Sequence, residues 1–193
     1  MAEAVDVRDV AGLVEVAKRG ERIKYLMFWG HRPPRSGGAG AGCLSQWWPA
    51  EFVVDGVVYR TAEHFMMAEK ARLFGDEDSV AAIVAAGHPK QAKDLGRSVR
   101  GFDEGRWAAA RFDLVVRGNL AKFEQHADLR EFLLGTGERV LVEASPVDRV
   151  WGIGLAADDE EAENPESWHG LNLLGFALME VRQVLRRSPP VMA

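Results

Sequence analysis

The sequence predicts an α+β fold dominated by helices, and three observations carry that expectation. Apolar residues recur at helical spacing over several long segments, the β-branched and aromatic runs are short and scattered, and no repeat or composition shift marks a linker. With 193 residues, 47% of them hydrophobic, the chain is long enough for one well-buried core and short for two, so a single domain is expected. Its bounds are placed at residues 24 and 187, with 1–23 an N-terminal helical extension and 188–193 a C-terminal tail.

Asp6 to Arg19 carries Val10, Leu13, Val14 and Ala17 at helical spacing and predicts an N-terminal helix on the outside of the domain. Lys24 to Trp29 reads as a strand. His31 to Gly42, with Pro33, Pro34 and four glycines from Gly37 to Gly42, predicts a flexible loop. Glu51–Val54 and Val57–Tyr59 flank Asp55-Gly56, a strong hairpin signal. A helix is expected over Thr61–Phe74, then two short ones, the first ending near Gly87 and the second starting at Pro89, where proline suits the first turn. Asp103 is placed as the cap of a long helix reaching Gln125, and Asp128 as the cap of another that stops near Gly135. Arg139–Glu143 suits a buried strand, Asp148–Gly154 a strand or turn, Ala156–Pro165 an acidic loop, and Leu171–Arg187 a closing helix.

The bulk charge excludes some functions. Lys plus Arg number 24 against 29 Asp plus Glu, a net charge of -5, which gives no global pull toward nucleic acid or an anionic membrane and leaves only a local basic groove open. The single cysteine, Cys43, excludes an intramolecular disulfide and a multi-cysteine metal cluster, and it reads as a small residue beside the glycine-rich loop. No apolar signal-like segment opens the chain and no window approaches the ~20 apolar residues of a membrane span, so a cytoplasmic location without membrane contact is expected. The glycine-rich loop lacks the Gly-Lys-Ser/Thr ending of a phosphate-binding loop. His64 and His169 have no histidine partner at metal spacing. Neither a metal nor a cofactor is expected.

The segment Thr61–Phe74 is the most informative. At about 100° per residue Glu63 and Lys70 fall within roughly 20° of each other, flanked by Met66, Met67, Leu73 and Phe74. Burying an unpaired charge is costly, so such groups pair, shift their protonation state or face a cavity. The stripe therefore reads as a pocket wall. On the following long helix Trp107, Arg111, Leu114, Gly118 and Lys122 share one face, while Asp113, Arg117 and Glu124 point away. Gly118, in mid-helix, suggests a close approach to the backbone. In the last helix Arg182 lies among Leu178, Val181 and Leu185, where it needs a carboxylate or phosphate.

Structural alternatives stand beside each of these. Glu63 sits in a first turn, where the helix dipole favours acids; Lys70 can snorkel to water; Arg182 can tie the last helix to an internal acid; Trp107 and Trp151 can be core. A further polar cluster runs from Leu141 to Gly154, where a strand delivers Glu143 and a turn delivers Asp148 just before Trp151-Gly152, an arrangement able to stack a flat ring. Asn172 opens the final helix and can either cap it or contact a base or ribose.

From about Phe28 to Leu185 the chain resembles the NADAR, or YbiA-like, family. The matching pieces are Leu44-Ser45 with Trp47-Trp48, Tyr59 with Glu63-His64 and Lys70, Leu95-Gly96-Arg97, Trp107 with Arg111, Lys122 through Gln125, Val142-Glu143, Asp148 with Trp151-Gly152, and Gly170 through Asn172 to Gly175 and Arg182. The resemblance does not extend to the helix before Lys24 or the insert from Ala156 to Pro165. It implies a YbiA-like fold and N-glycoside hydrolysis on ribose-bearing substrates, either phosphorylated ribosides of the early riboflavin pathway or ADP-ribosyl-guanine in nucleic acid, with a toxin that ADP-ribosylates DNA as a partner for some members.

The residue chemistry suits cleavage of a C1–N bond. Departure of the amine leaves positive charge at C1, which a carboxylate from Glu63 or Asp148 stabilises. A lysine in a partly apolar wall has a lowered pKa and can attack as a neutral amine, and with an opened ribose it can form a Schiff base; the resemblance makes this covalent route pertinent to the ADP-ribosyl-guanine class. The expected roles are Glu63 for proton transfer, Lys70 for attack, Trp107 or Trp151 for stacking, and Arg111, Lys122 or Arg97 for phosphate, with Glu143, Gly152 and Asn172 lining the substrate. Two other classes compete: a module that reads ADP-ribose or NAD without chemistry, and an antitoxin acting by contact alone. Both tolerate loss of Glu63 and Lys70.

Overall fold

The computed structural model describes residues 7–35 and 37–187. Along the chain run α1 (Val10–Lys18), β1 (Tyr25–Phe28), a 3₁₀ turn at Ala41–Leu44, β2 (Phe52–Val54), β3 (Val57–Tyr59), α2 (Ala62–Leu73), α3 (Glu77–Ala85), α4 (Pro89–Arg97), α5 (Glu104–Gln125), α6 (Ala127–Gly135), β4 (Val140–Glu143), a 3₁₀ turn at Pro165–Ser167 and α7 (Leu173–Arg187). The class is α+β with a helical majority, as the sequence predicts. The N-terminal helix starts later than the expected Asp6, at Val10 after its cap Asp9; Asp6 itself and the tail 188–193 lie outside the described residues.

Local chemistry sets most boundaries. Asp9 caps α1 by accepting the Gly12 N–H at 2.7 Å, and Asp103 caps α5 by accepting the Arg106 N–H at 2.7 Å. Asp55 (φ 49°) and Gly56 (φ 77°) both adopt the left-handed conformation that a two-residue hairpin turn between β2 and β3 requires. Pro89 occupies the first turn of α4, where its missing N–H costs nothing. Asp128 is not a cap. The helix already begins at Ala127, and Asp128 sits inside its first turn, where the dipole favours an acid.

The packing forms two units, one made of the chain up to Ser45 together with the stretch from Asp128, the other of Gln46–Ala127. In the first, β1 pairs in parallel with β4, Tyr25 opposite Val140 and Phe28 opposite Glu143. α7 covers β4 at very short range, because a Cβ on Gly175 would lie 2.1 Å from the Leu141 carbonyl oxygen. Asn172 completes this join: its Nδ2 donates to the Leu141 carbonyl at 2.9 Å and its Oδ1 accepts the Glu143 N–H at 3.0 Å. The expectation that it caps α7 is therefore corrected. With a left-handed backbone (φ 50°), Asn172 packs its carboxamide between Gly175 and the strand, and both of its polar atoms bond to β4.

In the second unit α2 packs against α3, α4 and α5. Two glycines allow this. A Cβ on Gly118 of α5 would lie 2.3 Å from the Phe65 ring, and one on Gly96 of α4 would lie 2.1 Å from the Met67 sulfur. The close approach expected at Gly118 is thus the aromatic ring of α2.

Candidate active site

Every residue of α2 from Ala62 to Ala68 is buried, so this helix has no solvent face along its first two turns. The reason is its position among three other helices, and it sharpens the sequence expectation of one oily stripe. Glu63, only 4% exposed, lies inside the unit. Thr61 caps the helix beside it, and His64 is held between the Thr61 hydroxyl at 2.8 Å and the Ala86 carbonyl at 3.1 Å. Burial lowers the His64 pKa, against a smaller opposing effect of the Ala86 carbonyl, and the ring is structural.

Lys70, two turns further on, is half-buried. Its Nζ donates to the Gly96 carbonyl at 2.9 Å and lies 4.1 Å from the Phe102 ring centroid and 5.7 Å from that of Trp107. Burial lowers its pKa, and Glu104 only partly opposes the shift. No salt bridge to Lys70 occurs among the described residues. A carbonyl and two aromatic faces solvate the ammonium, and each tolerates its conversion to a neutral amine better than a carboxylate would.

Trp107 and Arg111 are four residues apart on α5 and share a face. Trp107 is buried. The Arg111 side chain is 13% exposed, and its Nη1 is 3.4 Å from the Glu104 carboxylate. Its Nε is buried without a hydrogen-bond partner among the described residues. Lys70, Trp107 and Arg111 thus form a row of amine, flat ring and guanidinium. Lys122, on the same face of α5, is completely buried with its Nζ 5.0 Å from the Phe123 ring centroid. That enclosure suits a structural cation better than a phosphate clamp. Arg97 is exposed at the end of α4 and bonded to Asp94 at 3.3 Å.

The first unit holds the other expected residues. The Asp148 Oδ1 accepts the N–H groups of Val150 at 2.9 Å and Trp151 at 2.8 Å, so this carboxylate shapes the turn that presents Trp151. Gly152 is required there, since a Cβ would lie 2.7 Å from the Glu143 carbonyl oxygen. The Ile153 N–H returns to that same carbonyl at 2.9 Å, tying the turn to the end of β4. Trp151 and Glu143 remain partly accessible; Asn172 is fully buried and committed to β4.

A family model described as the NADAR domain matches residues 27–186. The chain belongs to the NADAR family. Within it, the N-glycosidase R617 of Acanthamoeba polyphaga mimivirus is 41% identical over 168 residues, 84% of this chain and 97% of that relative. The N-glycosidase YbiA of Escherichia coli is 34% identical over 138 residues, 72% of this chain and 76% of the relative. The NMR structure of E. coli YbiA matches with a TM-score of 0.67 at 28% identity, covering 86% of this chain and 88% of that one. These NADAR relatives are N-glycosidases, hydrolases of N-glycosyl bonds, and the chain belongs to that enzyme class.

Against this NADAR background two parts of the Lys70 setting were not visible in the sequence. The Gly96 carbonyl is a backbone group, and Phe102 sits in the irregular link between α4 and α5 with no periodicity to mark it. Arg182 departs from expectation in its partners. Its Nη1 donates to the Thr136 hydroxyl at 2.7 Å and to the Arg139 carbonyl at 2.9 Å, with no internal acid between them. Burial, with Arg186 and Arg139 adding repulsion, lowers its pKa to about 10 against a weaker pull from Glu138. Arg182 therefore fastens α7 to the turn before β4. Among the described residues no group of three or more His, Cys, Asp and Glu could hold a metal, and no helix is long and apolar enough to cross a membrane.

Proposed function

We propose that the protein cleaves the C1–N bond of a ribose-bearing substrate, with Lys70 as the attacking amine. The observation that carries this is the half-buried setting of Lys70 against one carbonyl and two aromatic rings, with no carboxylate paired to it among the described residues; burial lowers its pKa and makes the neutral amine accessible. The Lys70 nitrogen bonds to C1 of the ribose, the C1–N bond to the leaving amine breaks, and the leaving group takes a proton that Glu63 supplies or relays. The ring C1–O4′ bond then opens, O4′ taking a proton from the Lys70 nitrogen, which leaves a Schiff base between Lys70 and C1; water adds at C1, a proton returns to Glu63, and the sugar departs as its aldehyde with Lys70 regenerated. One water is consumed overall.

Trp107 supplies a flat face beside the amine, and the unsatisfied Nε of Arg111 offers a donor to a phosphate oxygen. Asp148 takes a positioning role, holding the Trp151 turn. The substrate is ADP-ribosyl-guanine in nucleic acid or a phosphoribosyl intermediate of the riboflavin pathway. Both offer a ribose C1 bonded to nitrogen and at least one phosphate.

A side-by-side assay on an ADP-ribosylated guanine oligonucleotide and on the riboflavin-pathway phosphoribosides, read by mass spectrometry, identifies the substrate. Borohydride added during turnover is expected to leave a ribosyl adduct on Lys70, and Lys70→Ala to lose it with most of the rate. A Lys70→Ala and Glu63→Gln double variant that turns over normally would falsify the assignment. Undiminished ADP-ribose binding by that variant, with no turnover by the parent chain, would indicate a non-catalytic reader instead.

A further inference from the structure

The glycine-rich loop after β1 borders an open pocket of about 800 Å³ lined by Trp29, His31, Arg32, Pro34 and Gly42, all within the first unit. Its shape is built in. A Cβ on Gly42 would lie 2.5 Å from the Arg32 carbonyl oxygen, and one on Gly40 would lie 3.1 Å from the Pro34 ring, so these glycines let the loop fold back onto the 3₁₀ turn at Ala41–Leu44.

The lining has a specific chemistry. Trp29 is 62% exposed, an unusual state for an indole, which buries well and stacks flat rings strongly. Arg32, three residues on, is exposed and forms no ion pair among the described residues. The surrounding sequence shares its sign. Between Glu21 and Glu51 the chain has Arg22, Lys24, Arg32 and Arg35 and no Asp or Glu, although the whole chain carries a net charge of -5. An accessible aromatic face beside a guanidinium without an ion pair among the described residues is a means by which proteins hold one base and its phosphate without reading sequence.

The geometry points to a nucleotide-binding site at the Trp29–Arg32 pocket, stacking one base on Trp29 and holding its phosphate with Arg32. The same chemistry is offered by a free nucleotide and by a nucleotide within a single strand. This site is separate from the Lys70 row in its residues, and its occupation needs no turnover.

Fluorescence anisotropy of the full chain with a labelled single-stranded oligonucleotide, with the matching duplex and with nucleoside monophosphate as competitors, tests this. The single strand is expected to bind, and Trp29→Ala and Arg32→Glu each to weaken it by about tenfold or more, with binding that falls as salt rises. Lys70→Ala is expected to leave the affinity unchanged, which separates this site from the proposed catalytic one. Competition by the monophosphate at comparable concentration assigns the site to free nucleotides; competition by longer strands alone assigns it to nucleic acid. Absence of binding, or binding indifferent to both Trp29→Ala and Arg32→Glu in chains with unchanged circular dichroism, overturns the inference.

Discussion

The Lys70 ammonium donates to the carbonyl of Gly96 at 2.9 Å, and the missing side chain of that same glycine makes room for Met67 one turn back on α2. One residue thus sets both the helix spacing and the acceptor of the proposed nucleophile. In Gly96→Ala the new methyl would lie 2.1 Å from the Met67 sulfur and 3.1 Å from its Cβ, so rotation of the thioether alone does not relieve the clash. Overpacking of this kind costs about 1–3 kcal/mol. Urea denaturation is expected to show a loss in that range, and turnover to fall with it because the α4 carbonyl moves away from Lys70.

The rate should depend on pH through Lys70. Its pKa lies below the ordinary lysine value, chiefly because of burial, so the neutral amine grows as pH rises and the alkaline limb of kcat should climb with an inflection below that value. Glu104 raises the pKa in opposition. Glu104→Gln is therefore expected to move the inflection to lower pH, and a profile that moves upward or stays fixed contradicts the electrostatic account.

Acid stability should rest partly on Asp76. The Arg100 side chain, then the Arg100 N–H and the Ser79 hydroxyl, hold this carboxyl well below the usual carboxylate range. A depressed folded pKa contributes stability that is complete above the unfolded value, near 4 for a typical Asp, and is lost as pH falls through the folded one. Arg100→Met removes the largest cause. Its acid-unfolding midpoint, followed by circular dichroism, is expected at higher pH than that of the parent chain.

Asn172 is expected to be a stability residue rather than a substrate contact. Asn172→Ala strips a donor from the Leu141 carbonyl and an acceptor from the Glu143 N–H in the buried join of α7 to β4, at about 1–3 kcal/mol for each group left unsatisfied. Thermal unfolding should shift accordingly while KM changes little. A large rise in KM at unchanged stability would restore its reading as a ligand contact.

Caps and turns were legible because their signals are local. Thr61, Asp103, Pro89 and the Asp55-Gly56 pair act within a few residues of themselves, and each stands where its chemistry predicts. Asn172 was not legible, because capping and strand-clamping use the same carboxamide and only the backbone angle chooses between them. Arg182 shows the same limit. A buried arginine announces that it needs acceptors, and whether they are an acid or a hydroxyl and a carbonyl depends on what lies 43 to 46 residues away.

By itself the sequence determined the helical majority, the hairpin, the caps, and the fact that Glu63, Lys70, Arg111 and Lys122 stand where charges are costly. Those are consequences of periodicity and of the desolvation of charge, which any short window reveals. Only the tertiary structure decided how each charge is accommodated. Lys70 meets a carbonyl and two rings, Lys122 is sealed inside, and the parallel pairing of β1 with β4 joins residues more than a hundred positions apart. Such contacts depend on which surfaces the packing brings within a few ångströms, and glycines such as Gly96, Gly118 and Gly175 set those distances by what they lack.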